Sequence, residues 1–233
     1  MVVSLPNIRL AYYPVPKCAN TSIKLALHKV KFGAEFEPSK KFKHIHRLHP
    51  TPSFSEIRSL DYCGFLKVAV IRDPISRFIS AWSNRVAFHR ELSQFKLSAD
   101  QSSYLVQKSI PFDPDLEAFI EHLEEYRFVS ASIRAHTDTL THYLGEDPSF
   151  FHALFRIDQL HLFEKLILSL WGNEVVFPRE QTGGTKRSVG TLSPQANAKL
   201  RRIYENDYKV FGESLNSSRP AIGLMSIECQ TLQ

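Results

Sequence analysis

Short apolar runs alternate along the chain with segments whose apolar residues recur every three or four positions, a pattern of strands interleaved with helices. Arg9 to Val15 is apolar from Leu10 onward and reads as a buried strand. Helical spacing follows from Thr21 to Lys31, and a basic, histidine-rich loop runs from Lys40 to Pro52. Phe65 to Ile71 is apolar except at Lys67, as in a central strand covered on both faces. Asp73 is a good N-cap and Pro74 a good first helical residue, which predicts a helix from Pro74 into the region of Val86.

Phe88 to Asp115 is polar and only weakly periodic, whereas Leu116 to Leu123 regains helical spacing after Asp113-Pro114. Leu154 to Ile157 reads as a short strand, with Asp158 capping a helix over Gln159 to Leu170. Glu174 to Phe177 reads as another short strand, closed by Pro178. A glycine- and cation-rich loop covers Gln181 to Gly190, and Ser193-Pro194 opens a long helix reaching Gly212. Together these elements predict an α/β fold, a single domain over 1–212 with a mainly parallel central sheet flanked by helices. Residues 213–233 read as a loosely held C-terminal tail.

Composition narrows the class. At 233 residues, 43% of them hydrophobic, the chain suits one globular domain with its own core. A formal charge of +5 favours anionic ligands without choosing among nucleotides, acidic glycans and nucleic acid. No aromatic-basic interleaving or known module supports nucleic acid. Cys18, Cys63 and Cys229 have neither metal nor disulfide spacing, which fits a reducing compartment. No apolar run approaches the roughly 20 residues of a membrane span, and residues 1–6 lack a basic leader. A soluble, cytoplasmic protein without stable membrane insertion is the expectation, although a chain stripped of an anchor would read the same.

Candidate chemistry begins at the first strand-turn-helix, Tyr12-Tyr13-Pro14-Val15-Pro16-Lys17-Cys18-Ala19-Asn20-Thr21-Ser22. Free N–H groups at the helix start, the dipole and the Lys17 ammonium together make an anion site, to which Thr21 and Ser22 add hydroxyls. The glycine spacing of a triphosphatase loop is missing, which argues against a kinase that prefers ATP. Cys18 beside Lys17 at a helix start should favour the thiolate, but a cysteine phosphatase loop wants arginine where Lys24 stands. Arg72 closes the second strand where open α/β sheets bind ligands, and Ser80 follows on the same helix side as Arg77. Arg77 reads as structural or as part of the positive field. His44, His46 and His49 lack a nearby carboxylate or cysteine to complete a familiar zinc spacing, so no metal is expected.

P-K-x-A-x-T-S and R-D-P-x-x-R-x-x-S together resemble the two cofactor motifs of the sulfotransferase superfamily, most nearly the Golgi-type, family 2 carbohydrate enzymes. The likeness is strongest over Arg9 to Val86 and resumes at Leu192 to Gly212. It implies 3′-phosphoadenosine 5′-phosphosulfate (PAPS) as co-substrate, adenosine 3′,5′-bisphosphate as product and a hydroxyl acceptor, on a glycan or glycoconjugate. Lys17 with Cys18, Ala19, Asn20, Thr21 and Ser22 would then hold the 5′ end, and Arg72 and Ser80 the 3′-phosphate. Lys186, ahead of Arg187, would close the late cationic loop over the cofactor. A His-x-His pair in the uronyl 2-O-sulfotransferase branch matches His44 and His46, implying His46 as base, His44 as helper and His49 as fallback. Alternation would put His44 and His46 on one face of an extended strand. Other branches use a glutamate, which leaves Glu35 and Glu37 open. A non-catalytic nucleotide or polyanion receptor on the same fold is the alternative, and the oligomeric state is left open.

Overall fold

The computed structural model describes residues 2–57, 62–178, 190, 192–218 and 220–222. Two largely apolar segments lie side by side within a five-stranded sheet: β2 (Leu10–Tyr13) and β3 (Leu66–Ile71), whose one polar residue is Lys67. They pair in parallel, Tyr12 opposite Val68, and β3 pairs in parallel with β4 (Ala153–Arg156), Val70 opposite Phe155. The edges are antiparallel, with β1 (Val3–Leu5) against β2 and β5 (Ala221–Ile222) against β4. Burial on both faces explains why β2 and the last four residues of β3 carry no alternating polar positions.

The first crossover is α1 (Asn20–Phe32), then α2 (Ile45–Leu48) and α3 (Phe54–Ile57); the second starts with α4 (Pro74–Ala81). Asp73 caps α4 by accepting from the Ser76 N–H at 2.8 Å, with Pro74 in the first turn. A π-helical turn over Trp82–Phe88 continues α4. A run of short helices then stacks on this crossover: α5 (Ala99–Gln107), α6 (Leu116–Glu121), α7 (Leu123–Val129), α8 (Ala131–Thr137) and α9 (Leu140–Leu144). Ile75, Phe78 and Trp82 share a second core with Phe119, Tyr126 and Tyr204, apart from the sheet core. No helix among the described residues is long and apolar enough to cross a membrane.

Several segments differ from expectation, each for a local reason. The polar stretch after Phe88 contains α5, nucleated by a capping box between Ser98 and Gln101 rather than by apolar periodicity. Glu174 to Phe177 is not a strand: its alternation buries Val175 and Phe177, while the Phe177 N–H donates to Glu164 Oε1 at 2.7 Å. Asp158 does not cap α10 (Leu160–Trp171); it pairs with Arg156, and a short 3₁₀ turn leads into the helix. The C-terminal helix divides at Tyr204 into α11 (Pro194–Ile203) and α12 (Glu205–Asn216). Tyr204 is fully buried and donates to the Thr137 carbonyl at 2.7 Å, which fixes the break. Beyond Glu213 the chain continues α12 to Asn216 and pairs again as β5.

α12 is tied to the middle of the chain by Asp207, which is fully buried and caps α9 from outside. Its carboxylate accepts from the Leu140 N–H (2.7 Å), the Thr141 N–H (2.9 Å) and the Thr141 hydroxyl (3.2 Å). Asp207→Ala strands two backbone donors at about 1–3 kcal/mol each, so a loss of about 3 kcal/mol is expected in urea unfolding. Asp207→Asn, which keeps one acceptor oxygen, should lose less.

Candidate active site

The carboxyl ends of β2 and β3 open into a cavity of about 560 Å³. Between β2 and α1 the chain turns through two non-glycine residues in the left-handed region, Lys17 (φ 66°) and Ala19 (φ 54°). Such conformations cost about 1–2 kcal/mol per residue, and the turn places the Lys17 side chain over the cavity mouth. Ala19 stands at the N-cap of α1 and supplies no side-chain cap. The N-terminal end of a helix favours an anion. Ala19, Asn20, Thr21 and Ser22 all line the cavity.

Cys18 does not. Its side chain is fully buried in the sheet core, and burial pushes the thiol up to about 11 in spite of Arg77, Arg72 and Lys17. The reactive thiolate suggested by its place at a helix start is therefore overridden by desolvation. Lys17 is also desolvated, and with Arg85 and Arg72 nearby its pKa falls to about 8. Its Nζ donates to Asn84 Oδ1 at 3.0 Å, which fixes the ammonium toward the cavity.

Arg72 and Ser80 also line the cavity. Among the described residues, no hydrogen bond or ion pair engages the Arg72 guanidinium, and burial pulls its pKa below the usual arginine value. The neighbouring Asp73 is committed elsewhere, capping α4 and accepting from the Tyr208 hydroxyl at 2.7 Å. Arg77 is structural: fully buried, it donates to the carbonyls of His136 (3.4 Å) and Asp138.

The three histidines of the basic loop separate. Residues 45–48 form the helical turn α2 instead of an extended strand, and positions two apart on a helix lie about 200° from each other. His44 is exposed, and it is His46 that lines the cavity. His49 is buried at 4% exposure, packed at 6.1 Å from the His28 ring and away from the cavity lining. Glu35 is exposed and paired with Lys29, and Glu37 is exposed, so neither lines the cavity. His46 Nε2 lies 2.9 Å from Thr21 Oγ1, and Nδ1 lies 3.4 Å from Lys24 Nζ. Burial, Lys24 and Arg85 bring the pKa of His46 down to about 4, which keeps it neutral at pH 7. Lys186 and Arg187 lie outside the described residues, although Phe177 and Pro178 line the cavity just before them in the chain.

Sequence reasoning missed Lys24, Thr51, Asn84, Arg85 and His136. In a regular α-helix Arg85 would lie about 140° around from Ser80; the i→i+5 geometry of the π turn brings both to one cavity. Arg85 is braced by Glu91 (3.0 Å) and by His136, whose Nε2 accepts from its Nε (3.1 Å) and Nη2 (2.9 Å). His136 Nδ1 in turn donates to the Ser132 carbonyl at 2.8 Å, and burial with Arg85 brings its pKa to about 3. The cavity thus gathers Lys17, Arg72 and Arg85, with no carboxylate among the described residues that line it.

The model of the Sulfotransferase family matches residues 2–212. The chain is a sulfotransferase of the carbohydrate-type family. Neither curated proteins nor solved structures give a match. The cationic cavity of this sulfotransferase is lined from both the turn before α1 and either end of α4, and Arg85 within it, carried on the π turn, is braced by Glu91 and by His136 of α8.

The neutral histidines carry a cost in acid. His46 and His49 sit at about 4 and His136 at about 3, below the ordinary value near 6.5. The unfolded chain binds these protons first, so stability is lost as pH falls from about 6.5 toward 4. Melting temperature should drop across that window, and His136→Asn should make the drop shallower.

Proposed function

We propose that this sulfotransferase moves a sulfuryl group from PAPS to a hydroxyl of a carbohydrate, with His46 as the base. The observation that carries the reading is the convergence of Lys17, Arg72 and Arg85 on one cavity with no carboxylate among its described lining residues, with neutral His46 beside the start of α1. Three cations on one cavity suit a nucleotide bearing phosphate at both ends, and about 560 Å³ falls within the usual range of ligand cavities.

Each side chain has a distinct task. Lys17, the α1 N–H groups, Thr21 and Ser22 hold the 5′-phosphosulfate, and Lys17 neutralises charge on the bridging oxygen as the bond to sulfur breaks. Arg72 and Ser80 hold the 3′-phosphate. Arg85, fixed by His136 and Glu91, adds positive charge near the reacting centre without having to reorganise. His46 accepts the proton of the attacking hydroxyl while attack proceeds in line, and no metal takes part. A base with a pKa of about 4 is weak, but one of its depressing charges, Arg85, is offset once an anion binds.

Release of adenosine 3′,5′-bisphosphate from PAPS, measured with heparan, chondroitin and dermatan polysaccharides beside a simple phenol, tests the acceptor class. Turnover stimulated by a polysaccharide supports a carbohydrate acceptor, and turnover with the phenol alone contradicts it. Nucleotide binding without turnover on any acceptor points to the receptor alternative.

A further inference from the structure

Lys24 lies inside α1, about one turn from its start. It is fully buried, and among the described residues it makes no ion pair. A buried lysine without a carboxylate is rare. Its Nζ has two polar neighbours: Thr51 Oγ1 at 2.7 Å and His46 Nδ1 at 3.4 Å. Thr51 Oγ1 also accepts from Asn20 Nδ2 at 3.1 Å, so its lone pairs are occupied and the ammonium has little else to donate to. Burial brings the lysine pKa down to about 7, within reach of both protonation states near neutrality.

The two states have opposite effects on His46. An ammonium donates to Nδ1, which forces the imidazole hydrogen onto Nε2 and directs it at Thr21 Oγ1. A neutral amine instead accepts from Nδ1–H and leaves Nε2 with a free lone pair toward the cavity. Thr21 lines the cavity and lies 2.9 Å from that nitrogen. With an anion bound, Thr21 turns its hydrogen to the phosphate, and an acceptor hydroxyl can take its place on Nε2.

We propose that Lys24 is a positioning residue that sets the tautomer of His46 and receives the proton that His46 passes on. This rests on the reading of His46 as the base. In the transfer step the acceptor oxygen bonds to sulfur as the bond from sulfur to the bridging oxygen breaks. The electron pair of that bond leaves with adenosine 3′,5′-bisphosphate. The acceptor proton goes to His46 Nε2, and the Nδ1 proton goes to Lys24 Nζ, which becomes an ammonium. Other charged or titratable groups facing the pair are Arg85 from the π turn, His44 before α2 and His49 after it, each of which disfavours a further positive charge.

Nitrogen-15 shifts of the His46 ring, followed from pH 5.5 to 9 in the full chain without ligand, read the tautomer directly. His46→Gln assigns the signals. Wild type should change from the Nε2–H to the Nδ1–H form with a midpoint near pH 7. Lys24→Arg, permanently charged, should stay in the Nε2–H form throughout, and Lys24→Met should show no transition near pH 7. A structural role alone predicts that arginine substitutes better than methionine; here transfer activity should be lower in Lys24→Arg, by about 10²-fold against wild type. His46 shifts that are the same in all three proteins, or that move only with ring protonation, overturn the proposal. Failure of the protein to prefer a 3′-phosphorylated nucleotide would sink the sulfotransfer role of His46 and leave the tautomer result standing, so the two failures are distinct.

Discussion

Lys17→Ala is expected to lower kcat about 10²–10³-fold while changing the affinity for adenosine 3′,5′-bisphosphate far less. Charge on the bridging oxygen grows as the bond to sulfur breaks, so the ammonium does most of its work in the transition state. The structure prepares it for that task. A left-handed turn aims the side chain at the cavity, Asn84 holds Nζ at 3.0 Å, and burial strips water from it. The same burial brings the lysine pKa to about 8, lower than in a free side chain because desolvation, Arg85 and Arg72 all disfavour the charge. The charged form therefore dominates at pH 7 and is lost as pH rises through about 8, and a bound anion pushes that limit upward. Single-turnover release of bisphosphate from PAPS at pH 7 and 9 separates the effects. Wild type should slow at pH 9 when PAPS is subsaturating, and Lys17→Ala should be slow at both.

Arg72→Ala is expected to weaken binding of adenosine 3′,5′-bisphosphate about 10–100-fold and to leave ADP nearly unchanged. Hydrogen bonds to a charged group contribute about 1.5–3 kcal/mol, and each 1.4 kcal/mol is a factor of ten. Arg72 can deliver that selectively because Asp73 is already engaged by Ser76 and Tyr208 and does not compete for it. Ligand-induced shifts in melting temperature give the comparison, since stabilisation follows the ratio of ligand concentration to Kd. Equal losses for the two nucleotides would move Arg72 from the 3′-phosphate to the shared part of the ligand.

The parts of the site that the sequence announced are those built by local chemistry. Lys17, Arg72 and Ser80 follow strand ends whose apolar runs and caps are contiguous in the chain, and the structure brings all three to one cavity. Lys24 could not be found this way. A lysine within an amphipathic helix looks solvated, and only α2 folding over it makes it buried. Arg85 was hidden because a π turn breaks the 3.6-residue period on which facing was judged. His44 and His46 show the reverse error: alternation would pair them on a strand, whereas α2 begins between them and turns His46 alone into the cavity. Glu174 to Phe177 shows that alternation reports burial of Val175 and Phe177 but not whether a strand edge is there to pair with.

Calorimetric titration of the protein with adenosine 3′,5′-bisphosphate, beside ADP and AMP, is the most direct test of the cavity as a 3′-phosphoadenosine site. Binding of the bisphosphate at least about tenfold tighter than that of ADP is the expected result, from one charged contact of the size assigned to Arg72. Equal affinity for the three nucleotides would contradict it and leave a general anion site at the start of α1.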